Sequence, residues 1–417
     1  MNRRVVITGL GVVSSIGIGS GRFWKTALDG GSGITALQGF DGMPLEAYKS
    51  RVVGQIRDFT PEQFLEPERA DRLDRSAQFA LVAAKEAVSE SGLRMEKEAP
   101  HRVGVIVGAG MGAMLMGERE LTGLYESRRP NRVHPSFIPT ITLNSISGTL
   151  AIALGAKGPN LTISTACSSS AHAIGQALTC IRTRQADVVI TVGAEASITP
   201  LAFAGFCSLR TLSTSFNDAP AQASRPFDRA RDGFVMGEGA GALILESLGH
   251  ARRRRARIYA EVAGYAGTSE AYHMVIPQED GCEEAATMEL ALRDARVTPA
   301  QVDYINAHGT STPIGDAVEI RAIRRLFKAD ANRVLINATK SMVGHTLGAA
   351  AAIGAIASVL TLETGLVHPT VNYEDPDPAC LLPGISASLQ ERPISVALVN
   401  AFGFGSNNAA IVLKEYR

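Results

Sequence analysis

The feature that most constrains the fold is an alternation of short runs rich in valine and isoleucine with segments of helical periodicity. Strands joined by helices form sheets that helices cover on both sides, and several of these runs are apolar on both faces, as that arrangement requires. The predicted strands cover residues 5–8, 103–107, 161–164, 188–192, 242–246, 259–262, 302–306, 334–336, 396–400 and 409–413. The predicted helices cover residues 74–91, 168–183, 284–293, 317–327 and 348–362. The pattern therefore predicts an α/β protein.

The length of 417 residues indicates two parts within this α/β body. Single hydrophobic cores rarely grow beyond about 250–300 residues, so two closely packed core units are expected. Each half supplies a similar succession of strands and helices, although no sequence repeat is visible. The arginine-rich segment at residues 250–257 is the predicted joint. The division is an N-terminal half at residues 1–255 and a C-terminal half at residues 256–417.

Charge and cysteine content argue against several functional classes. Lys plus Arg and Asp plus Glu both total 41, so the formal net charge is zero and general nucleic-acid binding is not expected. The five cysteines are odd in number and lack CxxC spacing, which argues against a disulfide framework and against a zinc or other metal site. A reducing compartment, the cytoplasm, fits this cysteine usage.

The apolar and glycine-rich stretches predict neither a membrane span nor a nucleotide cofactor. The N-terminal apolar run is interrupted by glycine and serine, which indicates a first strand rather than a signal peptide. The stretch at residues 347–362 is too short and too rich in alanine and glycine for a membrane span, so it predicts a buried helix. Residues 9–11 and 108–112 lack the glycine spacing of a dinucleotide-binding loop, and no GxxxxGK[ST] loop occurs.

Cys167 is the strongest candidate for a nucleophile. It lies directly after the predicted strand at residues 161–164 and before the predicted helix at residues 168–183. The positive end of a helix dipole lowers the pKa of a nearby thiol, and the free N–H groups there can hold an oxyanion. The competing interpretation is a buried structural cysteine, which describes most cysteines in proteins.

His308 and His345 occupy similar positions in the C-terminal half. His308 follows the strand at residues 302–306, and His345 lies between the strand at residues 334–336 and the alanine-rich helix. Ligands in α/β proteins bind beyond the carboxyl ends of strands, so both histidines are expected near a site. A cysteine with two histidines and no further metal ligand suits acyl transfer in which a second charge, such as an enolate, is stabilised. A cysteine hydrolase, which needs only one such histidine, is the alternative.

Four motifs closely resemble those of the β-ketoacyl-acyl carrier protein synthases, in the synthase I/II branch of the thiolase-like condensing enzymes. They are residues 165–170 (TACSSS), 306–312 (NAHGTST), 340–345 (KSMVGH) and 402–405 (FGFG). The resemblance runs from residues 4–9 (RVVITG) to the C-terminal strand, so it covers essentially the whole chain. Because the four motifs occur in the same order and at the same spacing as in that family, the resemblance is highly specific.

The resemblance implies a thiolase-like fold, in which duplicated βαβαβαββ halves stack as α-β-α-β-α layers, and usually a homodimer. It also implies that Cys167 takes an acyl group from an acyl carrier protein thioester, with the N–H groups of Cys167 and Phe404 as the oxyanion hole. Malonyl-carrier protein then loses CO2 with the help of His308 and His345, and the enolate attacks the acyl-cysteine to give a 3-ketoacyl product. Phosphopantetheine arrives on the carrier protein, so no bound cofactor is implied.

The same resemblance implies roles for further residues. Lys340, in the catalytic group, is expected to pair with Glu319 and to organise the two histidines, and Glu319 is assigned to the substrate-binding group. Phe404, also in the catalytic group, is expected to gate the pocket on a mobile glycine loop. Thr310 and Thr312 match positions that bind the pantetheine arm. The acyl pocket is expected to have Met111 at its floor and Phe206, Phe137 and Ile138 as walls, the last two contributed across the dimer. The expected footprint of the acidic carrier protein comprises Arg69, Arg72, Arg128, Arg129, Arg132 and Arg210.

Three departures from the family pattern leave the pathway open between primary fatty-acid elongation and a polyketide-type specialised pathway. Residues 403–408 read GFGSNN instead of the usual GFGGTN, which alters the expected gate. Val275 stands where elongating enzymes often have threonine, and three serines after Cys167 are more typical of polyketide ketosynthases.

Other classes fit the residues less well. A non-catalytic partner subunit, which sets chain length in a ketosynthase heterodimer, would lack the cysteine that this chain retains. A thiolase would carry a second catalytic cysteine in the C-terminal loop, where this chain has Phe404. A synthase III enzyme would not place His345 in a KSMVGH motif.

Overall fold

The chain alternates strands and helices as the sequence predicts, and the structure, a computed structural model, describes residues 3–40, 42–70 and 72–416. The strands are β1 Val5–Ser14, β2 Gly17–Ile18, β3 Thr35–Ala36, β4 Val52–Gly54, β5 Val103–Gly108, β6 Asn160–Ile163, β7 Val188–Glu195, β8 Met236–Gly237, β9 Gly239–Ser247, β10 Ala260–Ser269, β11 Tyr304–Asn306, β12 Leu335–Asn337, β13 Leu366–Val367, β14 Gln390–Glu391, β15 Val396–Gly403 and β16 Asn407–Glu415. The α-helices are α1 Ser20–Leu28, α2 Pro67–Ala70, α3 Arg75–Ser91, α4 Met114–Ser127, α5 Phe137–Ile141, α6 Ser145–Leu154, α7 Ser169–Arg182, α8 Pro200–Ser208, α9 Leu248–Arg253, α10 Cys282–Ala295, α11 Pro313–Phe327, α12 Lys340–Val343 and α13 Ala350–Thr364.

The strands show the duplication directly. Among the described residues, 11 strands form one mixed sheet in the order β12-β11-β15-β16-β10-β1-β9-β7-β5-β6, with β2 paired to β1. The first half contributes β1, β5, β6, β7 and β9, and the second contributes β10, β11, β12, β15 and β16. If the five strands of each half are numbered in chain order, both halves show the spatial order 3-2-4-5-1 from the edge of the sheet to its centre. The two first strands, β1 and β10, pair antiparallel and join the halves.

Helices cover the sheet in three layers. Helices α7 and α13 pack between the two halves and contact strands of both. Helix α3 covers the outer face of the first half, and α10 and α11 cover the outer face of the second. This is the predicted α-β-α-β-α arrangement. Its cause is that the strands are buried on both faces, so each half needs a helix layer on either side.

Helix α13 is the buried helix predicted at residues 347–362. Residues Leu347–Thr364 are long and apolar enough to resemble a membrane span, but 89% of this window is buried inside the fold. Burial of each large apolar side chain, such as Ile353 or Ile356, stabilises the fold by about 1.5–3 kcal/mol. Small residues allow the close approach this requires, since a Cβ on Gly193 of β7 would lie 2.9 Å from the Cβ of Ala352.

All ten predicted strands and all five predicted helices are present, and the differences lie at their ends and in missed helices. Strand β1 extends beyond its predicted end at residue 8, because Gly9 and Gly11 weakened the strand signal. A Cβ on Gly11 would lie 2.0 Å from the carbonyl oxygen of Ala83, so glycine is required where α3 presses on the strand. The missed helices include α1, α4, α6 and α8, of which α4 buries no residue.

The arginine-rich joint forms helix α9, which lies between the last strand of the first half and β10. Arg254 of this segment binds Glu246 of β9. The division of the chain after residue 255 stays a prediction.

Candidate active site

Residues that follow five strands of the sheet, two in one half and three in the other, meet in one cavity of about 570 Å³. Met111 follows β5, Cys167 follows β6, His308 follows β11, His345 follows β12 and α12, and Phe404 follows β15. Strands β5 and β6 run parallel in one half, as do β11, β12 and β15 in the other. The carboxyl ends of both halves therefore supply one site, as the sequence predicts.

Cys167 lies in a tight turn between β6 and α7. The turn Ala166–Ser168 is a 3₁₀ helix, and Ala166 has a φ of 50°, a left-handed conformation that costs a non-glycine residue about 1 kcal/mol or more. The side chains of Ser168 and Ser169 offset this by donating hydrogen bonds of 2.7 Å and 2.6 Å to the carbonyls of Thr165 and Ala166. Two of the serines that distinguish this motif therefore hold the nucleophile turn in place.

The third serine connects this turn to the opposite half. Ser170 Oγ accepts the backbone N–H of Ala352 in α13 at 3.0 Å. Because α13 begins just after His345, this hydrogen bond fixes the position of Cys167 relative to that histidine.

His308 and His345 face each other at the cavity. Their ring centroids lie 5.3 Å apart with an interplanar angle of 88°. The backbone of His345 is held by a hydrogen bond of 2.7 Å to the carbonyl of Val235. Phe234 packs edge-on against His345, and Phe402 packs against His308. Aromatic contacts on the outer sides thus orient the two imidazoles toward the same space.

Both imidazoles are neutral. Burial holds the pKa of His308 well below its usual range, and the nearby charge of Lys340 and the ring of His345 lower it further. Burial and Lys340 have the same effect on the pKa of His345. The Nδ1 atoms of both rings are buried and have no hydrogen-bond partner among the described residues. Neutral imidazoles of this kind can donate an N–H bond without carrying charge.

The pKa of Cys167 differs from the sequence expectation. Burial raises the pKa of this thiol to about 11, although the Lys340 charge and the N–H groups of Phe404 and Cys167 lower it. The prediction that the helix terminus lowers the pKa of Cys167 is therefore wrong, because the net change is an increase. The side chain is only 7% exposed, so the loss of hydration outweighs the helix terminus.

Phe404 lies in the turn between β15 and β16, with its backbone N–H directed at the sulfur of Cys167. Gly403 permits this approach, because a Cβ there would lie 2.9 Å from the Thr165 carbonyl and 3.2 Å from the Cys167 nitrogen. The N–H groups of Cys167 and Phe404 thus converge beside the thiol, in the arrangement expected of an oxyanion hole.

Glu319 lies behind His308 rather than in the cavity wall. Its two carboxylate oxygens each accept a backbone N–H at 2.8 Å, from His308 and from Gly309, and one of them also accepts the Asn400 amide at 2.9 Å. Among the described residues no ion pair within 4.0 Å joins it to Lys340, although their charges attract. Glu319 therefore supports the backbone of His308, instead of contacting the substrate and pairing directly with Lys340 as predicted.

Lys340 is fully buried near Cys167 and the histidines. Burial lowers the pKa of its ammonium to about 8, while the charges of Glu319, Cys167 and Asp316 raise it. A cation in this position disfavours protonation of both histidines. Its organising influence is electrostatic.

The structure places most of the predicted pocket residues in the cavity. Met111, Phe206, Thr310 and Thr312 all line it, and Met111 and Phe206 pack in the same apolar cluster as Cys167. The two threonine hydroxyls are hydrogen-bonded to each other at 3.0 Å. Met111 and Phe206 give the cavity an apolar wall, which suits an acyl chain.

The predicted cross-dimer and carrier-binding residues lie outside the cavity, with one exception. Phe137 and Ile138 belong to α5, and Ile138 is 64% exposed. Arg210 lines the cavity. The side chains of Arg72, Arg128, Arg129 and Arg132 are exposed on the surface, and the side chain of Arg69 lies outside the described residues.

Sequence reasoning missed three carboxylates at this site. Glu195, at the end of β7, accepts the N–H groups of Gly110, Met111 and Gly348. Glu270 and Glu284 line the cavity beyond Phe404. Of these three, only Glu195 could have been found from the sequence, because a charged residue ends an otherwise apolar strand.

Comparison with known proteins agrees with this geometry. The family model described as "Beta-ketoacyl synthase, N-terminal domain" matches residues 2–251, and "Beta-ketoacyl synthase, C-terminal domain" matches residues 259–374. The chain belongs to the β-ketoacyl synthase family. The predicted thiolase-like fold and acyltransferase class are therefore confirmed.

Its relatives align along nearly its entire length. The chain is 41% identical over 414 residues to a 3-oxoacyl-[acyl-carrier-protein] synthase 2 of Vibrio harveyi, covering 99% of both chains. It is 42% identical over 415 residues to the synthase 2 of Staphylococcus aureus strain COL, covering 100% of this chain and 99% of the other. Among solved structures, it matches a chain from a complex of a type II PKS acyl-carrier protein with its ketosynthase bound to the hexaketide. That match has a TM-score of 0.92 and 35% identity, with 100% of both chains covered.

Proposed function

We propose that the protein is a β-ketoacyl-acyl carrier protein synthase, which condenses an acyl group on Cys167 with malonyl-acyl carrier protein. The observation that carries the proposal is the meeting of Cys167 with two neutral, facing imidazoles in one largely apolar cavity. The products are a 3-ketoacyl-acyl carrier protein and CO2.

In the loading step, the sulfur of Cys167 attacks the thioester carbonyl of an acyl-carrier protein. The N–H groups of Cys167 and Phe404 stabilise the negative charge on the carbonyl oxygen. The bond to the pantetheine sulfur then breaks, and the thiol proton of Cys167 ends on the departing carrier thiol. Because the pKa of Cys167 is about 11, the thiol must lose its proton as it attacks rather than beforehand.

In the condensation step, malonyl-carrier protein enters the same cavity. His308 and His345 donate N–H groups to its thioester carbonyl, so that the electron pair of the breaking carbon–carboxylate bond moves onto this oxygen as CO2 leaves. The enolate carbon attacks the acyl carbonyl on Cys167, the carbon–sulfur bond breaks, and the released thiolate takes up a proton from solvent to regenerate the thiol. Neutral histidines can fill this role, because each keeps one ring N–H that can donate a hydrogen bond.

Acyl carrier protein is the partner of this reaction. We place its docking surface at the cavity mouth, where Arg210 lies, with the exposed Arg72, Arg128, Arg129 and Arg132 around it and Arg69 as a further member. Thr310 and Thr312 are placed along the pantetheine arm. The chemistry draws on the side chains and amides of this chain and on the thioesters that phosphopantetheine carries, with no bound cofactor.

A homodimer completes the proposal. Strand β6 is the last strand at one end of the sheet, so its outer edge is unpaired within the described chain. Leu161 on β6 and Ile152 on the adjacent α6 are both exposed, which leaves an apolar edge that a second copy can cover. Phe137 and Ile138 then reach the partner's pocket. Size-exclusion chromatography with light scattering gives the mass, and a monomeric mass contradicts this part.

We propose that the enzyme consists of two halves, divided between residues 255 and 256. We also propose that it is located in the cytoplasm. The support is the burial of helix α13 and the presence of five free cysteines, of which Cys167 must stay reduced to react.

Intact-protein mass spectrometry tests the function. The protein is incubated with acyl-carrier proteins that range from short saturated chains to aromatic and polyunsaturated ones. An acyl mass mapped to Cys167, followed by a 3-ketoacyl product after malonyl-carrier protein is added, supports the proposal. The donors that load decide between fatty-acid and polyketide-type substrates.

The alternative, a non-catalytic chain-length subunit, is not favoured, because Cys167, His308 and His345 are all present in the cavity. A folded protein that no donor acylates would contradict the proposed enzyme and support this alternative.

A further inference from the structure

Residues 270–278, which we call the entrance loop, connect β10 to α10 and form one wall of the cavity. Four hydrogen bonds fasten it to the turn that carries Phe404, one of which runs from the Tyr272 N–H to Ser406 Oγ at 3.4 Å. Gly405 N donates to the Met274 carbonyl at 2.8 Å, Glu270 N donates to the Ser406 carbonyl at 3.0 Å, and Ser406 Oγ donates to the His273 carbonyl at 3.1 Å. Movement of the entrance loop therefore changes the position of the Phe404 turn.

Glu270 closes the entrance loop on itself. One carboxylate oxygen accepts the N–H of Gln278 at 3.1 Å, which joins the two ends of the loop. The other accepts the side-chain amide of Asn408 on β16, also at 3.1 Å. Both carboxyl oxygens of Glu270 therefore act as hydrogen-bond acceptors here.

Glu284 places a second carboxyl group against this carboxylate. It lies in the first turn of α10, is only 1% exposed, and has its carboxyl within hydrogen-bonding reach of Glu270. Its Oε2 atom is buried with no hydrogen-bond partner among the described residues. Burial raises the pKa of Glu284 to about 8, and the charges of Glu270 and Glu319 contribute to the rise. Because Glu284 is buried and a second carboxyl group lies against it, its protonated form is favoured.

We propose that Glu284 is a positioning residue, whose protonated carboxyl donates a hydrogen bond to Glu270 and thereby holds the entrance loop closed over the cavity. The proposal deepens the proposed function, since it takes this cavity as the acyl site. It follows that loop closure is coupled to one proton.

The sign of this coupling follows from the two states of the loop. In the closed state the pKa of Glu284 is about 8, and in an open, hydrated state it returns toward its ordinary value of 4.5. The closed state therefore binds the proton more tightly and is most favoured at low pH. Between these values the closed fraction relative to the open one falls by up to about tenfold per pH unit, and above them it no longer changes.

Other titratable groups near Glu284 must be separated from this effect. They are Glu270 and His273 on the entrance loop, Glu319 on α11, with Lys340 near it, and Glu283 on α10 itself. The neighbouring strands β15 and β16 contribute the uncharged Asn400 and Asn408. Glu284→Gln leaves all of these groups in place, so the difference between this variant and the parent isolates Glu284.

Hydrogen–deuterium exchange tests the proposal without substrate. Peptides covering residues 270–278 and 403–408 are followed from about pH 6 to about pH 8, with correction for intrinsic exchange. In the parent protein their opening should increase with pH by up to about tenfold per unit. In Glu284→Gln it should remain low and independent of pH, because the glutamine amide donates to Glu270 as the protonated carboxyl does.

Equal pH dependence in the parent and in Glu284→Gln would overturn the proposal. Glu270→Gln provides a second test if the first variant folds poorly. Its amide can accept from a protonated Glu284 and donate to an ionised one, so opening should depend on pH less steeply than in the parent, although burial of Glu284 remains. A pH dependence as steep as that of the parent would count against the proposal.

Acyl loading of Cys167 in the same samples separates this inference from the function. A pH-dependent loop in a protein that no donor acylates would refute the function and support the loop mechanism. Normal loading with a loop insensitive to pH would do the reverse.

Discussion

The buried carboxylate of Glu195 joins the floor of the cavity to the segment that follows His345. Its Oε2 accepts the N–H groups of Gly110 at 2.8 Å and Gly348 at 3.2 Å. Its Oε1 accepts the N–H of Met111 at 3.2 Å and the hydroxyl of Ser197 at 2.7 Å. Four donors thus converge on one side chain that is fully buried.

Glu195→Gln preserves the shape of the side chain but replaces one acceptor oxygen with a donor. The glutamine oxygen can keep the N–H groups of Gly110 and Gly348, and the hydroxyl of Ser197 can rotate to accept from the new NH2 group. The N–H of Met111 has no such freedom and loses its acceptor. Leaving one buried N–H unpaired costs about 1–3 kcal/mol, so we expect the free energy of unfolding to fall by that amount.

Urea unfolding measures this change, with the buried Trp24, the single tryptophan of the chain, as the fluorescent probe. Glu62→Gln is the matched control, because it makes the same chemical change at an exposed position and should alter stability by less than about 0.5 kcal/mol. If the two variants unfold at the same urea concentration with the same slope, the bond-by-bond reasoning is refuted.

The same variant has a second, electrostatic consequence. Burial is the main cause of the raised pKa of Cys167, and the negative charge of Glu195 adds to it. Removing this charge should lower the pKa of Cys167 and increase its rate of alkylation by iodoacetamide at constant pH. A decreased rate would contradict the placement of this charge near the thiol.

Four further predictions concern the cavity. Cys167→Ala should abolish acyl loading in intact-mass spectra, and an acylated variant would disprove the nucleophile. His308→Ala and His345→Ala should each retain much of the loading but reduce CO2 release from malonyl-carrier protein by about 100-fold or more, and normal condensation in both would refute their role. Met111→Gly should admit longer or bulkier acyl chains, and an unchanged product profile would exclude Met111 as the floor. Ser406, whose φ is 64°, should gain about 1 kcal/mol of backbone relief on replacement by glycine but lose its bond to the entrance loop. Hydrogen exchange in residues 270–278 should then be faster, and slower exchange would contradict the role of Ser406 in fastening the entrance loop.

The altered C-terminal loop is explained in part by these contacts. Ser406 occupies a left-handed conformation that favours glycine, and its hydroxyl compensates through a bond to the entrance loop. The departure from the usual GFGGTN pattern therefore adds a hydrogen bond between two loops, at the gate that the sequence predicts to be altered.

The sequence by itself determined the alternation of strands and helices, the two-part organisation and the position of Cys167, His308 and His345 at strand ends. These features depend on local periodicity and on which residue follows which strand. Both can be recognised from a few neighbouring residues in the sequence. The end of β1 escaped, because glycine within a strand weakens the strand signal, and helix α4, which buries no residue, escaped as well.

Only the tertiary structure decided the electrostatics of the site. Burial, which sums over neighbours distant in sequence, raises the pKa of Cys167 where the helix terminus alone predicts a decrease. The support of His308 by Glu319 and the contact of Glu284 with Glu270 likewise depend on how α10 and α11 pack. Desolvation and the pairing of buried carboxylates are properties of a three-dimensional environment, so no local pattern in the chain encodes them.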